Sequence, residues 1–189
     1  MSATPALDPR YRLDEPLGQG SQGSVWRARD LLLERDVAIK LLAPGADVRL
    51  LRQELSLLGE LRHPGLATVY DLDRDASGQS YLVSELIRGE PLRRFWRDSG
   101  LQAGLEVLAT LLGTLDFLHQ RGVVHRDVKP DNILVERSQG LVEGNADAAP
   151  RGRLVDFGLA TTAALQETGG VTGTLAYAAP EVLAGEAAS

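Results

Sequence analysis

No cysteine occurs among the 189 residues, which removes disulfides, thiolate catalysis and cysteine-based zinc sites from consideration. A basic excess is also missing. The formal charge is -6 and the pI is near 5.1, whereas a nucleic-acid surface normally carries surplus Lys and Arg. The polar N-terminus, Met1 to Pro9, has no apolar core of the signal-peptide type. Leu101 to His119, the longest apolar stretch, is interrupted by Glu106 and Asp116, which disfavours a membrane span. The expectation is a soluble, cytoplasmic piece with no nucleic-acid partner and no membrane segment of its own, although a longer parent could carry an anchor downstream. Lysine is scarce as well: of 20 basic residues only Lys40 and Lys129 are lysine. A compositional bias towards arginine accounts for the scarcity but not for the two positions that escape it. Lysine is a compact, flexible point charge, unlike the planar arginine fork, and both survivors sit in segments suited to handling phosphate.

What is present reads as α+β. From Tyr11 to about Leu42 the pattern is strands broken by glycine turns, ending in the apolar run Val37-Ala38-Ile39. Asp47 is a plausible N-cap for a helix to about Arg62, stopped by His63-Pro64-Gly65. Leu66 to Asp73 and Ser80 to Ile87 read as two strands around the turn Asp75-Ala76-Ser77-Gly78. Leu101, Leu105, Leu108, Leu112 and Leu115 then follow the spacing of a helix buried along one face. Short strands are expected at Ile133 to Val135 and Arg153 to Val155. A Gly/Ala/Asp/Asn-rich loop separates them, and a mobile Thr/Gly/Ala-rich stretch follows from Ala160 to Gly173.

Gly18-Gln19-Gly20-Ser21-Gln22-Gly23 matches G-x-G-x-x-G, a weak signal alone, since a dinucleotide fingerprint shares it. That fingerprint should open a helix, but Ser24-Val25-Trp26-Arg27-Ala28 favours a strand. A glycine loop between strands can fold over phosphates, because backbone N–H groups approach where side chains are missing. Lys40, ending an apolar strand, is either a snorkelling surface residue or a phosphate ligand. Leu51, Glu54, Leu58 and Leu61 share one helical stripe, so Glu54 points inward and needs a cation, for which Lys40 is the candidate.

His125-Arg126-Asp127-Val128-Lys129-Pro130-Asp131-Asn132 cannot form a regular helix and reads as a loop rich in chemistry. Asp127 can accept a proton, Lys129 can neutralise a phosphoryl oxygen, and Asn132 can offer its carbonyl to magnesium. Asp156, in Asp156-Phe157-Gly158, supplies a second hard oxygen of the kind Mg²⁺ takes together with phosphates and water. The bland alternative is a solvated charged turn.

Gly18-x-Gly20-x-x-Gly23-x-Val25, Val37-Ala38-Ile39-Lys40, His125-Arg126-Asp127, Asp156-Phe157-Gly158 and Ala179-Pro180-Glu181 occur in the order of the protein-kinase signature set. From Tyr11 onward the chain resembles serine/threonine protein kinases of the bacterial Hanks type. That resemblance implies a bilobal fold, with a β-rich N-lobe carrying one helix over about 11–86 and a helical C-lobe over about 90–189, after a tail at 1–10. It also implies ATP and Mg²⁺ as ligands and serine or threonine hydroxyls of proteins as acceptors. By similarity, Leu17, Val25, Ala38 and Leu134 would enclose adenine, and Glu85 and Ile87 would meet it through their backbones. Gly18, Gly20, Ser21 and Gly23 would cover the phosphates, which Lys40 paired to Glu54 would hold. Asn132 and Asp156 would bind Mg²⁺, and Asp127 would orient and deprotonate the acceptor. Lys129 resembles the lysine of the Ser/Thr class, bridging to a threonine such as Thr174. Arg126 would pair with a phosphorylated threonine, Thr168 first and Thr172 second. Self-association for autophosphorylation would fit this pattern.

Only eight residues follow Glu181, so the resemblance also implies an incomplete C-lobe whose activity is in doubt and whose Leu101 to His119 helix is partly uncovered. Two alternatives remain: an inert, pseudokinase-like nucleotide-binding module, and a small-molecule phosphotransferase of related fold. The presence of Lys40, Asp127, Asn132 and Asp156 speaks against the first. Gly173-Thr174 with Ala179-Pro180-Glu181 speaks against the second.

Overall fold

A computed structural model describes residues 7–20, 23–43, 61–137, 149–156, 161–162, 175–177 and 180–183. The helix expected from Asp47 to Arg62 lies almost wholly outside them, as do most of the 136–152 loop and of the 160–173 stretch. The chain divides into two compact units. One is Met1–Leu61 with Thr68–Leu86, and the other is Arg62–Ala67 with Ile87–Ser189.

The first unit is a five-stranded antiparallel sheet of β1 (Tyr11–Gly20), β2 (Gly23–Asp30), β3 (Arg35–Leu42), β4 (Val69–Arg74) and β5 (Ser80–Glu85), in the order β1-β2-β3-β5-β4. Strand periodicity decides its two faces. Val37, Ile39 and Leu41 of β3 and Tyr81 and Val83 of β5 join Tyr11 and Ala28 in one buried cluster, with Leu7, Leu13 and Trp26 packed against it. Each large apolar side chain so buried is worth about 1.5–3 kcal/mol over its exposed state. Ala38, Lys40 and Leu82 alternate with that set, with Lys40 directly opposite Val25 on one side and Leu82 on the other.

Asp30 governs the β2–β3 turn. Its buried carboxylate accepts the N–H groups of Leu32 and Leu33 at 3.1 and 3.2 Å, and Arg10 grips it through Nε at 2.9 Å and Nη2 at 2.7 Å. The pair thus ties the chain entering β1 to the far end of β2.

The second unit is built on α1 (Leu92–His119), broken at Gly100, whose φ of 78° and ψ of 175° leave the helical region. Beside it lie a three-stranded sheet of β6 (Glu90–Pro91), β8 (Ile133–Glu136) and β9 (Arg151–Leu154), and a pair formed by β7 (Val123–Val124) and β10 (Thr161–Thr162). A short helix, α2, spans Pro180–Leu183.

The leucine stripe read from the sequence faces the wrong way. Leu101, Leu105, Leu108 and Leu112 are exposed, while Gly104, Val107, Leu111, Thr114 and Leu118 are buried. Both sets have helical spacing, so periodicity alone could not choose between them. Close approach chose. Thr114 packs against Gly65, where any added Cβ would lie 1.9 Å from the Thr114 hydroxyl, and the Thr110 hydroxyl accepts the N–H of Gly152 at 3.1 Å. Only the smaller-residue face admits backbone at that distance. By length and composition alone α1 would also reach across a membrane, a test that core helices of soluble proteins pass as well.

A second departure concerns 66–73. Rather than starting β4, Leu66 forms a parallel bridge to Leu154 within the second unit. Gly65 O accepts the N–H of Leu154 at 2.7 Å, and Ala67 N–H donates to Leu154 O at 3.0 Å. The backbone groups of Leu154 on that edge need partners, and the segment after Pro64 supplies them.

Candidate active site

The β1–β2 hairpin, β3 and the loop after β7 carry most of the residues singled out by the sequence. In the first unit, Gly18 and Gly20 close β1, Gly23 opens β2, and Ser21 lies outside the described residues. These three glycines differ physically. Gly23 has φ of 132°, and a Cβ there would sit 1.8 Å from the carbonyl oxygen of Leu41, so only glycine fits the sheet. At Gly18 and Gly20 a Cβ would meet nothing within 4 Å. Packing therefore explains Gly23 and does not explain the other two.

Val25 stands opposite both Gly18 and Lys40, Ala38 opposite Ser84, and Leu17 is exposed at the end of β1. Lys40 is only 8% exposed, a burial that an ammonium tolerates only with partners. Glu54, its expected partner, lies outside the described residues. Glu85 ends β5 and is tied twice to Thr68: its N–H donates to Thr68 O at 2.8 Å, and its Oε2 accepts Thr68 N–H at 3.1 Å. Ile87, buried, begins the main span of the second unit.

In the second unit the loop residues meet on one carboxylate. Asp127 is 4% exposed, and its Oδ2 accepts from Lys129 Nζ at 2.7 Å and from Asn132 Nδ2 at 2.9 Å. Asn132 Nδ2 also donates to the Asp127 backbone oxygen at 2.8 Å. Both amide hydrogens of Asn132 are thereby committed to Asp127, which fixes the amide and reserves Oδ1 as its acceptor. Pro130 starts a 3-10 turn, Pro130–Asn132, that brings Asn132 back over Asp127. Lys129 itself is extended, with φ of -150°, as a residue before proline prefers.

Two residues in this region hold left-handed backbone: Arg126 at φ 62° and Asp156 at φ 70°. Such conformations cost about 1–3 kcal/mol each in non-glycine residues and persist where surrounding structure enforces them. The enforcement at Asp156 is visible. Val155 N–H donates to Asn132 O at 2.9 Å, and Leu154 is bracketed by Gly65 and Ala67. Asp156 is thus held in register with Asn132 by main-chain bonds. The Gly65–Ala67 bracket went unnoticed in the sequence, where Pro64-Gly65 signals only a helix stop.

His125 is 1% exposed. Burial pushes its pKa down to about 4, while the carboxylates of Asp156 and Asp127 pull it partly back, so the ring is neutral at pH 7. It acts here as a packed prop beneath the loop; its Nδ1 faces the Asp127 N–H at a long 3.4 Å. Leu134 is half-buried on β8. Thr168, Thr172 and Thr174 lie outside the described residues, as does Phe157.

The protein kinase domain family matches residues 11–189. Among relatives, the serine/threonine-protein kinase PknB of Mycobacterium leprae is 33% identical over 98% of this chain, but the match covers 30% of that protein. PknA of Mycobacterium tuberculosis H37Rv is 36% identical over 97% of this chain and 43% of its own length. PknB of Mycolicibacterium smegmatis is 34% identical over 98% and 31%, respectively. The chain therefore spans less than half the length of these relatives. With the family matched over nearly every residue, and its five signature segments in order, the chain belongs to the protein kinase domain family.

Proposed function

We propose that this chain is the catalytic portion of a serine/threonine protein kinase, which transfers the γ-phosphoryl group of ATP to serine or threonine hydroxyls of proteins. On this reading residues 1–10 are a tail and 11–189 the kinase domain, acting in the cytoplasm. The observation that carries it is the network on Asp127. A buried carboxylate held by Lys129 and Asn132 is oriented in advance, so little reorganisation remains when a hydroxyl arrives.

The acceptor hydroxyl would pass its proton to Asp127 as its oxygen bonds to the γ-phosphorus and the bond to the β-phosphate oxygen breaks, releasing ADP. Lys129, 2.7 Å from Asp127, is near enough to this carboxylate to share its field with a transferring phosphoryl group. Lys40, with Glu54, would hold the α- and β-phosphates, under the open backbone of Gly18 and Gly20. Leu17, Val25, Ala38 and Leu134 would enclose the adenine, and Glu85 and Ile87 would bond it through their backbones.

The donor set fits magnesium: Asn132 has only its carbonyl oxygen left to give, and Asp156 adds a carboxylate in main-chain register with it. When bound, the ion would neutralise phosphate charge. Arg126, at its left-handed φ, would receive a phosphate on Thr168 or Thr172, and Thr174 would meet Lys129. Transient self-association would let one copy modify another.

The test is transfer of labelled phosphate from ATP to dephosphorylated casein by the full-length protein, with magnesium present. The wild type should label casein and itself, and an Asp127→Asn variant should lose at least about a hundredfold. Nucleotide binding without transfer in the wild type would instead establish the inert module.

A further inference from the structure

Arg93, the second residue of α1, joins two segments far from it in sequence. Its Nε donates to Asp131 Oδ1 at 3.1 Å, and its Nη2 donates to the hydroxyl oxygen of Tyr177. Asp131 is the middle residue of the Pro130–Asn132 turn, so it sits between Lys129 and Asn132, the two residues that hold Asp127. Tyr177 ends a 3-10 turn, Leu175–Tyr177, in the stretch between Thr174 and Pro180. One guanidinium thus spans the loop that bears the base and the segment leading to α2.

This arrangement is poorly suited to stabilising the fold. The side chains of Arg93 and Asp131 are 54% and 60% exposed, and ion pairs so open to solvent contribute little. What a planar fork does provide is geometry, since two N–H groups at fixed angles set the spacing between two acceptors. Arg93 bonds Asp131 and Tyr177 rather than Asp127, so its action on chemistry must pass through what it holds.

We propose that Arg93 is a positioning residue for the protein substrate: it docks the Leu175–Tyr177 turn on the Asp131 turn, and the two form one edge of the surface that receives the acceptor peptide. The inference rests on the phosphotransfer reading above. It requires that loss of Arg93 weaken protein substrate while sparing nucleotide.

The test uses the full-length protein, with the KM for dephosphorylated casein and the KM for ATP measured separately. Losing a charge-assisted but solvent-screened contact should raise the casein KM about fivefold in Arg93→Ala, with the ATP KM within about twofold of wild type. Tyr177→Phe, which keeps the ring and removes the acceptor, should show the same split. The double variant should be no worse than the more affected single one, because both cut one tether. Arg93→Lys, with a point charge in place of a fork, should recover only part of the loss. Without nucleotide, a fluorescein-labelled peptide carrying alanine for its acceptor serine should bind Arg93→Ala more weakly by a similar factor. An active wild type whose casein KM and peptide affinity are unchanged in Arg93→Ala and Tyr177→Phe overturns this inference alone, as do effects of the two that multiply. A wild type that transfers nothing overturns the phosphotransfer reading and this inference with it.

Discussion

Replacing Arg10 by leucine should loosen the sheet unit and flatten its response to acid. Asp30 is fully buried, and the hydrogen bond from Arg10 is the largest influence holding its pKa at about 2 against an ordinary 3.8. A carboxylate depressed in the folded state leaves the unfolded chain binding the extra proton first. Its contribution is complete above about pH 4 and is lost as pH falls through 2. At about 1.4 kcal/mol per pH unit, the gap sets a ceiling of about 2.5 kcal/mol. The Arg10 side chain is 29% exposed, and solvent screening lowers the expectation to about 1–2 kcal/mol. In Arg10→Leu, Asp30 keeps the N–H groups of Leu32 and Leu33 and has Arg35 at 3.9 Å, so the charge is not abandoned. The variant should be less stable by about 1–2 kcal/mol at pH 7 and should lose less than its parent between pH 4 and pH 2. Urea unfolding followed by Trp26 fluorescence in a Trp96→Phe background reads this unit, because Trp26 packs on its core. Equal urea midpoints at pH 7, or equal losses on acidification, would refute the reasoning.

Gly23→Ala should destabilise the sheet by about 3 kcal/mol or more, since its Cβ would lie 1.8 Å from the Leu41 carbonyl; Gly20→Ala, with open space, should unfold like wild type but transfer phosphate more slowly. Circular dichroism melts and labelled-ATP assays on the same samples separate the two. Asn132→Ala removes both amide donors to Asp127 and should cost about a hundredfold in transfer rate while the melting temperature moves by only a few degrees. His125, depressed to about 4, contributes stability that is complete above pH 6.5 and is lost as pH falls towards 4. A His125→Gln variant should show a shallower decline across that window in urea titrations.

The cluster on Asp127 was readable in sequence because its members lie at short, fixed spacings. Asp127, Lys129 and Asn132 fall within six residues, and a proline between them dictates the turn that gathers them. Strand assignments in the sheet were legible for a similar reason. Val37, Ile39 and Leu41 alternate, and alternation has one structural meaning. Helix faces were not legible. Along α1 two apolar stripes share the same period, and the exposed leucines make the stronger pattern.

The sequence alone determined the family, the grouping of Asp127, Lys129 and Asn132 and the strand periodicity, because each depends on residue type and local spacing. Only the tertiary structure decided which face of α1 is buried, that Gly65–Ala67 brackets Leu154, and that Arg93 meets both Asp131 and Tyr177. Those outcomes depend on how closely distant backbones approach, and no local pattern encodes a distance between segments eighty residues apart.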